Sequence, residues 1–212
     1  MARWLRASVL VVALIGAALA RADAQNSSSL TPLNTTPSAP HAFPLIGGAT
    51  PAPAADQGLQ LVGAAESNDV AAVSNLLDEQ ISPDEIEKYG RTPLIYAAMN
   101  NNAEIAQTLV NHGARLDIRD NLGKTALHWA AERGSIGVMR VLLQAKAAID
   151  VQNREGLTPL MLAARNAQTD AVRLLLQYHA DARINDYAGR DALSWAANRA
   201  PIVQALKVAE TR

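Results

Sequence analysis

Residues 123–132 read GKTALHWAAE, and residues 156–165 read GLTPLMLAAR. The two stretches stand thirty-three residues apart, and the same spacing returns GRTPLIYAAM at residues 90–99 and GRDALSWAAN at residues 189–198. A fixed period of this length marks a chain made by stacking one small supersecondary unit on the next. Each unit buries its apolar face only against its neighbours, so the core is a seam running along the array.

Within a unit the residue types dictate the local structure. Thr92 stands where a helix should begin and Pro93 follows it. A Thr hydroxyl accepts a bond from an early helix amide, and Pro fits the first turn because its missing N–H had no partner there. Thr125, Thr158 with Pro159, and Asp191 repeat the device. Leu94, Leu127, Leu160 and Leu193 follow at one offset, then the pairs Ala97/Ala98, Ala130/Ala131, Ala163/Ala164 and Ala196/Ala197, small enough for helices to approach closely. A second helix carries Ile105, Leu109 and Val110, then Val138, Leu142 and Leu143, then Leu175 and Leu176, which is one apolar helical face. Gly113 suits a left-handed helix end; its counterparts Lys146 and His179 suit it less, which predicts strain or a different closure. Asp120, Asn153 and Asp186 each precede a loop glycine by three residues and read as turn formers.

Residues 90–188 resemble three ankyrin repeats, TALHWAA lying close to that family's Thr-Pro-Leu-His-x-Ala-Ala core. The flanks read as degenerate caps. LVGAAESNDVAAVSNLL from Leu61 sets Ala64, Ala65, Leu76 and Leu77 in register, with Asp56 as a substitute helix cap. The last copy is truncated, and Pro201 is expected to start its second helix a residue or two out of register. The resemblance implies an all-α ankyrin-repeat solenoid of about five helix-turn-helix units with projecting β-turn loops. Its units are residues 57–89, 90–122, 123–155, 156–188 and 189–212.

Ahead of the array, Arg3 and Arg6 precede an apolar run over residues 7–20, and small residues follow. This is the layout of a secretory signal peptide, cleaved after Ala24, or alternatively after Ala20 or Ala22. The run is short for a membrane span, which needs about 20 residues. Residues 25–56 hold six of the ten prolines and a single charge, and read as a flexible linker. The expected location is the periplasm, with extracellular release as the alternative and no membrane association after cleavage.

Composition excludes several functions. With 19 basic and 20 acidic residues the chain has no nucleic-acid signature. It has no Cys, so disulfides, thiolate metal sites, cysteine nucleophiles and lipoprotein attachment are excluded. His128 invites a catalytic reading, but Ile95, Met161 and Ser194 hold its place in other copies, and the resemblance assigns it to tying neighbouring loops together. His112 and His179 lie two units apart, too far to share a metal. No nucleophile motif, phosphate-cradling loop or metal-ligand spacing occurs. An enzyme, a cofactor and a metal are therefore not expected, an unrecognised loop site being the one catalytic alternative.

Positions that vary between copies mark surface the fold leaves open. At the loop tips these include Lys88, Tyr89, Arg91, Arg119, Asn121, Leu122, Lys124, Arg154, Leu157, Tyr187 and Arg190; at the ends of first helices, Arg133, Arg165 and Arg199. The resemblance puts them on the concave, protein-binding face. Nine of the 16 basic residues left after cleavage fall in this region, although the mature chain then has 19 acidic ones. The expected partner is a protein with an acidic surface, with Tyr89, Leu122, Leu157 and Tyr187 as apolar anchors. The chain alone is expected to be monomeric. Helper of a periplasmic protein, inhibitor or immunity protein, and passive scaffold are the competing uses.

Overall fold

A computed structural model describes residues 54–197 and 199–210, with side chains described from residue 59 to 209. The expected signal peptide and all but the last three residues of the expected linker lie outside this range. Ten α-helices appear among the described residues, and no strand. They fall into five pairs: α1 (Ala54–Glu66) with α2 (Val70–Asp78), α3 (Pro93–Met99) with α4 (Ala103–Asn111), α5 (Ala126–Arg133) with α6 (Ile136–Gln144), α7 (Pro159–Arg165) with α8 (Thr169–Gln177), and α9 (Ala192–Ala196) with α10 (Ala200–Glu210). The first helices α1, α3, α5, α7 and α9 pack in chain order, and each second helix packs on the next in the same way. No helix among the described residues is long and apolar enough to cross a membrane.

The caps stand where the sequence dictates. Thr92 accepts from the Ile95 amide at 3.3 Å, Thr158 from Met161 at 3.3 Å and Asp191 from Ser194 at 2.7 Å. At Thr125 a reciprocal capping box forms, the Thr125 side chain facing the His128 amide while its own amide donates to His128 Nδ1 at 3.1 Å. Asp56 does not cap α1, because the helix already begins at Ala54.

Leu61, Leu94, Leu127 and Leu160 are buried to 1% exposure or less, together with the alanines at 97, 98, 130, 131, 163 and 164. Each such leucine contributes about 2 kcal/mol through the apolar area it removes from water. Leu193, at the same offset, is only half-buried.

All four complete second helices close alike. Gln80, Gly113, Lys146 and His179 have φ of 65°, 81°, 65° and 65°, and the next amide bonds back to the carbonyl of Leu76, Leu109, Leu142 or Leu175. Lys146 and His179 thus accept the left-handed backbone that Gly113 adopts, at a penalty of about 1–2 kcal/mol each. The last unit departs from the pattern. Period thirty-three would start its second helix at residue 202, but α10 begins at Ala200, two residues early as Pro201 foretold. Its core is displaced with it, so Ile202 and Leu206 are the buried residues and Val208 is exposed. Helix α9 is cut to five residues to match, and Ala197 after it is at φ 50° and ψ −129°.

Candidate functional site

Each unit boundary carries a short loop closed by two backbone bonds, one of them from the loop glycine back to residue 87, 120, 153 or 186. The amides of Glu87, Asp120, Asn153 and Asp186 donate to the carbonyls of Arg91, Lys124, Leu157 and Arg190. In three loops the acidic or amide side chain also turns inward. Asp120 Oδ1 accepts from the Leu122 and Lys124 amides at 2.8 Å each, Asn153 Oδ1 from Glu155 and Leu157, and Asp186 Oδ1 from Ala188 and Arg190. The loops are joined to one another by backbone bonds from Asn121 to Tyr89, Arg154 to Leu122 and Tyr187 to Glu155. A second tie runs beneath them. Asp84, Asp117 and Asp150 accept from the amides of Arg115, Ala148 and Asp181 in the following unit. Burial raises the Asp150 pKa, against the bond from Asp181 that lowers it.

The loops and first helices meet in a shared row of cations and rings. Tyr96, Trp129, Leu162 and Trp195 occupy one position on successive first helices, with Leu162 fully buried. Lys124 Nζ lies 4.1 Å from the Trp129 ring centroid, and the Arg190 guanidinium 3.9 Å from that of Trp195. The indole nitrogens bond to the loop acids, Trp129 to Asp120 Oδ2 at 2.9 Å and Trp195 to Asp186 Oδ2 at 3.1 Å. Burial pushes Asp186 toward its neutral form, but the Arg190 amide and guanidinium, the Ala188 amide and the Trp195 indole outweigh it and hold its pKa below the usual carboxylate range.

The expected binding residues separate into three groups. Lys88, Arg119, Asn121, Arg133, Arg154 and Arg190 are exposed, as are Tyr89 and Leu122 (51% each) and Tyr187 (73%). Arg91 and Arg165 are half-buried. Lys124 and Leu157 are buried and offer a partner nothing. Lys124 instead reaches Glu132 Oε2 at 2.6 Å, and Leu157 lies under the loop as a core residue.

The positive charge is less widespread than the row of basic residues suggests. Arg165 lies between Glu132 and Glu155, at 3.5 and 3.6 Å, and Arg190 pairs with Asp186 at 3.0 Å. Lys88, Arg91, Arg119, Arg133 and Arg154 form no ion pair among the described residues. Ile86, exposed at 51%, adds an apolar group beside them. It stands in the column otherwise occupied by Arg119, Gln152 and Asn185, so the aligned copies already mark it as odd.

His128 belongs to the frame. It is fully buried, with Nε2 3.1 Å from the Leu157 carbonyl and Nδ1 2.9 Å from Thr125 Oγ1. A carbonyl can only accept, so Nε2 carries the hydrogen and Nδ1 accepts from Thr125. Burial lowers its pKa from 6.5 to about 4. Among the described residues, no three His, Asp or Glu side chains gather as metal ligands.

A family model described as ankyrin repeats (3 copies) matches residues 61–153 and 140–210, most of the chain. No curated protein matches it.

Proposed function

The chain belongs to the ankyrin-repeat family, whose repeats are protein-binding modules, and we propose that it is an exported member that holds an acidic protein surface in the periplasm. The observation carrying this reading is the coincidence, on the loop tips, of unpaired cations with exposed Tyr89, Leu122 and Tyr187. Exposed rings and aliphatic groups supply anchoring area, and surrounding charge selects and steers the partner. Export is supported by the basic, apolar and small-residue order of residues 1–24. Holding a partner by shape and charge suits a helper or regulator of a periplasmic protein.

Cross-linking of a C-terminally tagged copy in intact cell envelopes, followed by mass spectrometry, tests the binding. One abundant partner should be captured, and the double reversal Arg119→Glu/Arg154→Glu should lose it. Arg190 is left unaltered because its bonds to Asp186 are part of the fold. Equal capture by both forms would sink the acidic-partner reading. Export has its own readout: the mature protein should begin at Gln25, and an N-terminus at Met1 in the envelope fraction would refute cleavage.

A further inference from the structure

The loop at residues 87–91 has polar atoms that the fold leaves without partners. Glu87 Oε1 and Arg91 Nε are both buried, and neither is hydrogen-bonded. Ninety-nine residues on, the same two positions hold Asp186 and Arg190, which close on each other with Arg190 Nε and Nη2 each 3.0 Å from Asp186 Oδ2. The backbone frame is the same in both loops, Glu87 N to Arg91 O at 3.1 Å and Asp186 N to Arg190 O at 2.8 Å. The side chains make the difference. Glu87 is one carbon longer and accepts no bond from its loop amides, and Tyr96 has no ring N–H where Trp195 supplies one.

Arg91 is therefore held by rings alone. Its guanidinium lies 5.3, 5.8 and 5.4 Å from the ring centroids of Tyr89, Tyr96 and Trp129. Swinging it outward breaks stacking contacts but no hydrogen bond, whereas Arg190 would have to leave Asp186. Buried polar groups without partners carry a penalty that a ligand relieves when it supplies the missing bonds. Around this loop stand the exposed apolar residues Ile86, Tyr89 and Leu122, with Lys88 exposed beside them.

We infer that this first loop is the anchoring point of the partner face, and that it takes an extended segment with an Asp or Glu side chain next to a large apolar one. The inference rests on the protein-binding reading above. The segment's carboxylate meets Arg91 side-on, a backbone N–H of the segment donates to Glu87, and the apolar neighbour lies against Tyr89 and Leu122. A small anion would satisfy Arg91 alone, and a basic segment Glu87 alone. Only an acidic peptide satisfies both and also covers the apolar rim.

The test uses random 12-residue peptides displayed on phage, selected on the immobilised full chain. Enriched peptides should combine Asp or Glu with Phe, Leu or Trp, and a synthetic copy should bind at least tenfold more weakly to Arg91→Gln and Tyr89→Ala. Arg140→Gln, an exposed cation on α6 away from the loop tips, should bind within twofold of the unaltered chain. Glu87→Asp guards against misfolding as an explanation, since it supplies the short acid that pairs in the last loop; it should weaken binding equally with an undiminished melting midpoint. Enrichment of basic peptides, no enrichment at all, or equal losses for Arg91→Gln and Arg140→Gln would overturn the inference. The protein-binding reading would survive those results, because the envelope cross-linking judges it separately.

Discussion

The loops at residues 87–91 and 186–190 hold the same place in the repeat and share a backbone frame, yet one is closed on itself and the other is open. In the last loop every polar group of Asp186 faces a donor: two amides, a guanidinium and an indole. In the first, an acceptor and a donor four residues apart are buried without bonds. Repetition therefore fixes where a loop sits, and its side chains decide whether its hydrogen bonding serves the fold or a partner. Substitution should expose this asymmetry most sharply. Asp120→Ala removes a closed-loop acid that accepts from two amides and the Trp129 indole, and should destabilise the array by about 4 kcal/mol. Glu87→Ala, in the open loop, removes a buried acceptor that has no partner and should leave the array as stable as before or more stable by about 1 kcal/mol. Urea unfolding of both variants measures this, and similar losses would erase the distinction between the loops.

Between the two loops lies the seam held by His128, which ties the helix it starts to the Leu157 carbonyl of the next loop. The folded imidazole titrates near 4, below its ordinary 6.5. Between those values the unfolded chain binds the proton and the folded one does not, so stability rises with pH across the window. The His128 contribution is complete above pH 6.5 and declines as pH falls to about 4, by about 3 kcal/mol in all. Unfolding free energies measured from pH 7 to pH 4 should show this slope, and His128→Gln should lose most of it. A slope retained in the variant would place the acid sensitivity elsewhere.

Much of this was legible in the sequence, because the period, the Thr and Asp caps and the paired alanines are demands of helix geometry that only a few residue types meet. The column Asp84, Asp117 and Asp150 was visible at the same spacing, and it proves to be the tie between successive units. The loop-tip surface proposed for binding was legible as exposed surface at most of its positions, though not at all of them. Lys124 and Leu157 differ between copies and so resemble free surface, but both are buried. The open state of the first loop depends on one methylene in Glu87 and a ring nitrogen absent from Tyr96, differences that a repeat pattern treats as equivalent.

The glycines sharpen the comparison of interior and terminal loops. Gly156 and Gly189 have nearly the same backbone, φ 78° and 77°, which side chains other than hydrogen adopt at a penalty. A Cβ at Gly156 would lie 2.6 Å from the Tyr187 amide nitrogen, while one at Gly189 would meet nothing within 4 Å. Gly189→Ala should therefore cost about 1 kcal/mol through its backbone alone, and Gly156→Ala about 2–3 kcal/mol because the next loop must also shift. Thermal melts of the pair check this, and equal losses would mean that the loops do not stack as closely as Gly156 requires.

The smallest effect probes the same terminal unit from inside. Ala197 is at φ 50° and ψ −129°, outside the single left-handed residue that ends the other first helices, because α9 stops at Ala196 and α10 starts two residues ahead of the register of the other second helices. An L side chain is strained there by about 1–2 kcal/mol, whereas glycine is not. Glycine also loosens the unfolded chain, which returns roughly 0.5–1 kcal/mol of that gain. Ala197→Gly should thus stabilise the protein by about 0.5–1 kcal/mol, while Ala163→Gly, the same exchange in the middle of α7, should destabilise it by about 1 kcal/mol or more. Opposite signs for one chemical change would assign the strain to the turn after the shortened α9. A loss at both positions would show that the last unit reaches α10 by a relaxed path, and that its early start carries no backbone penalty.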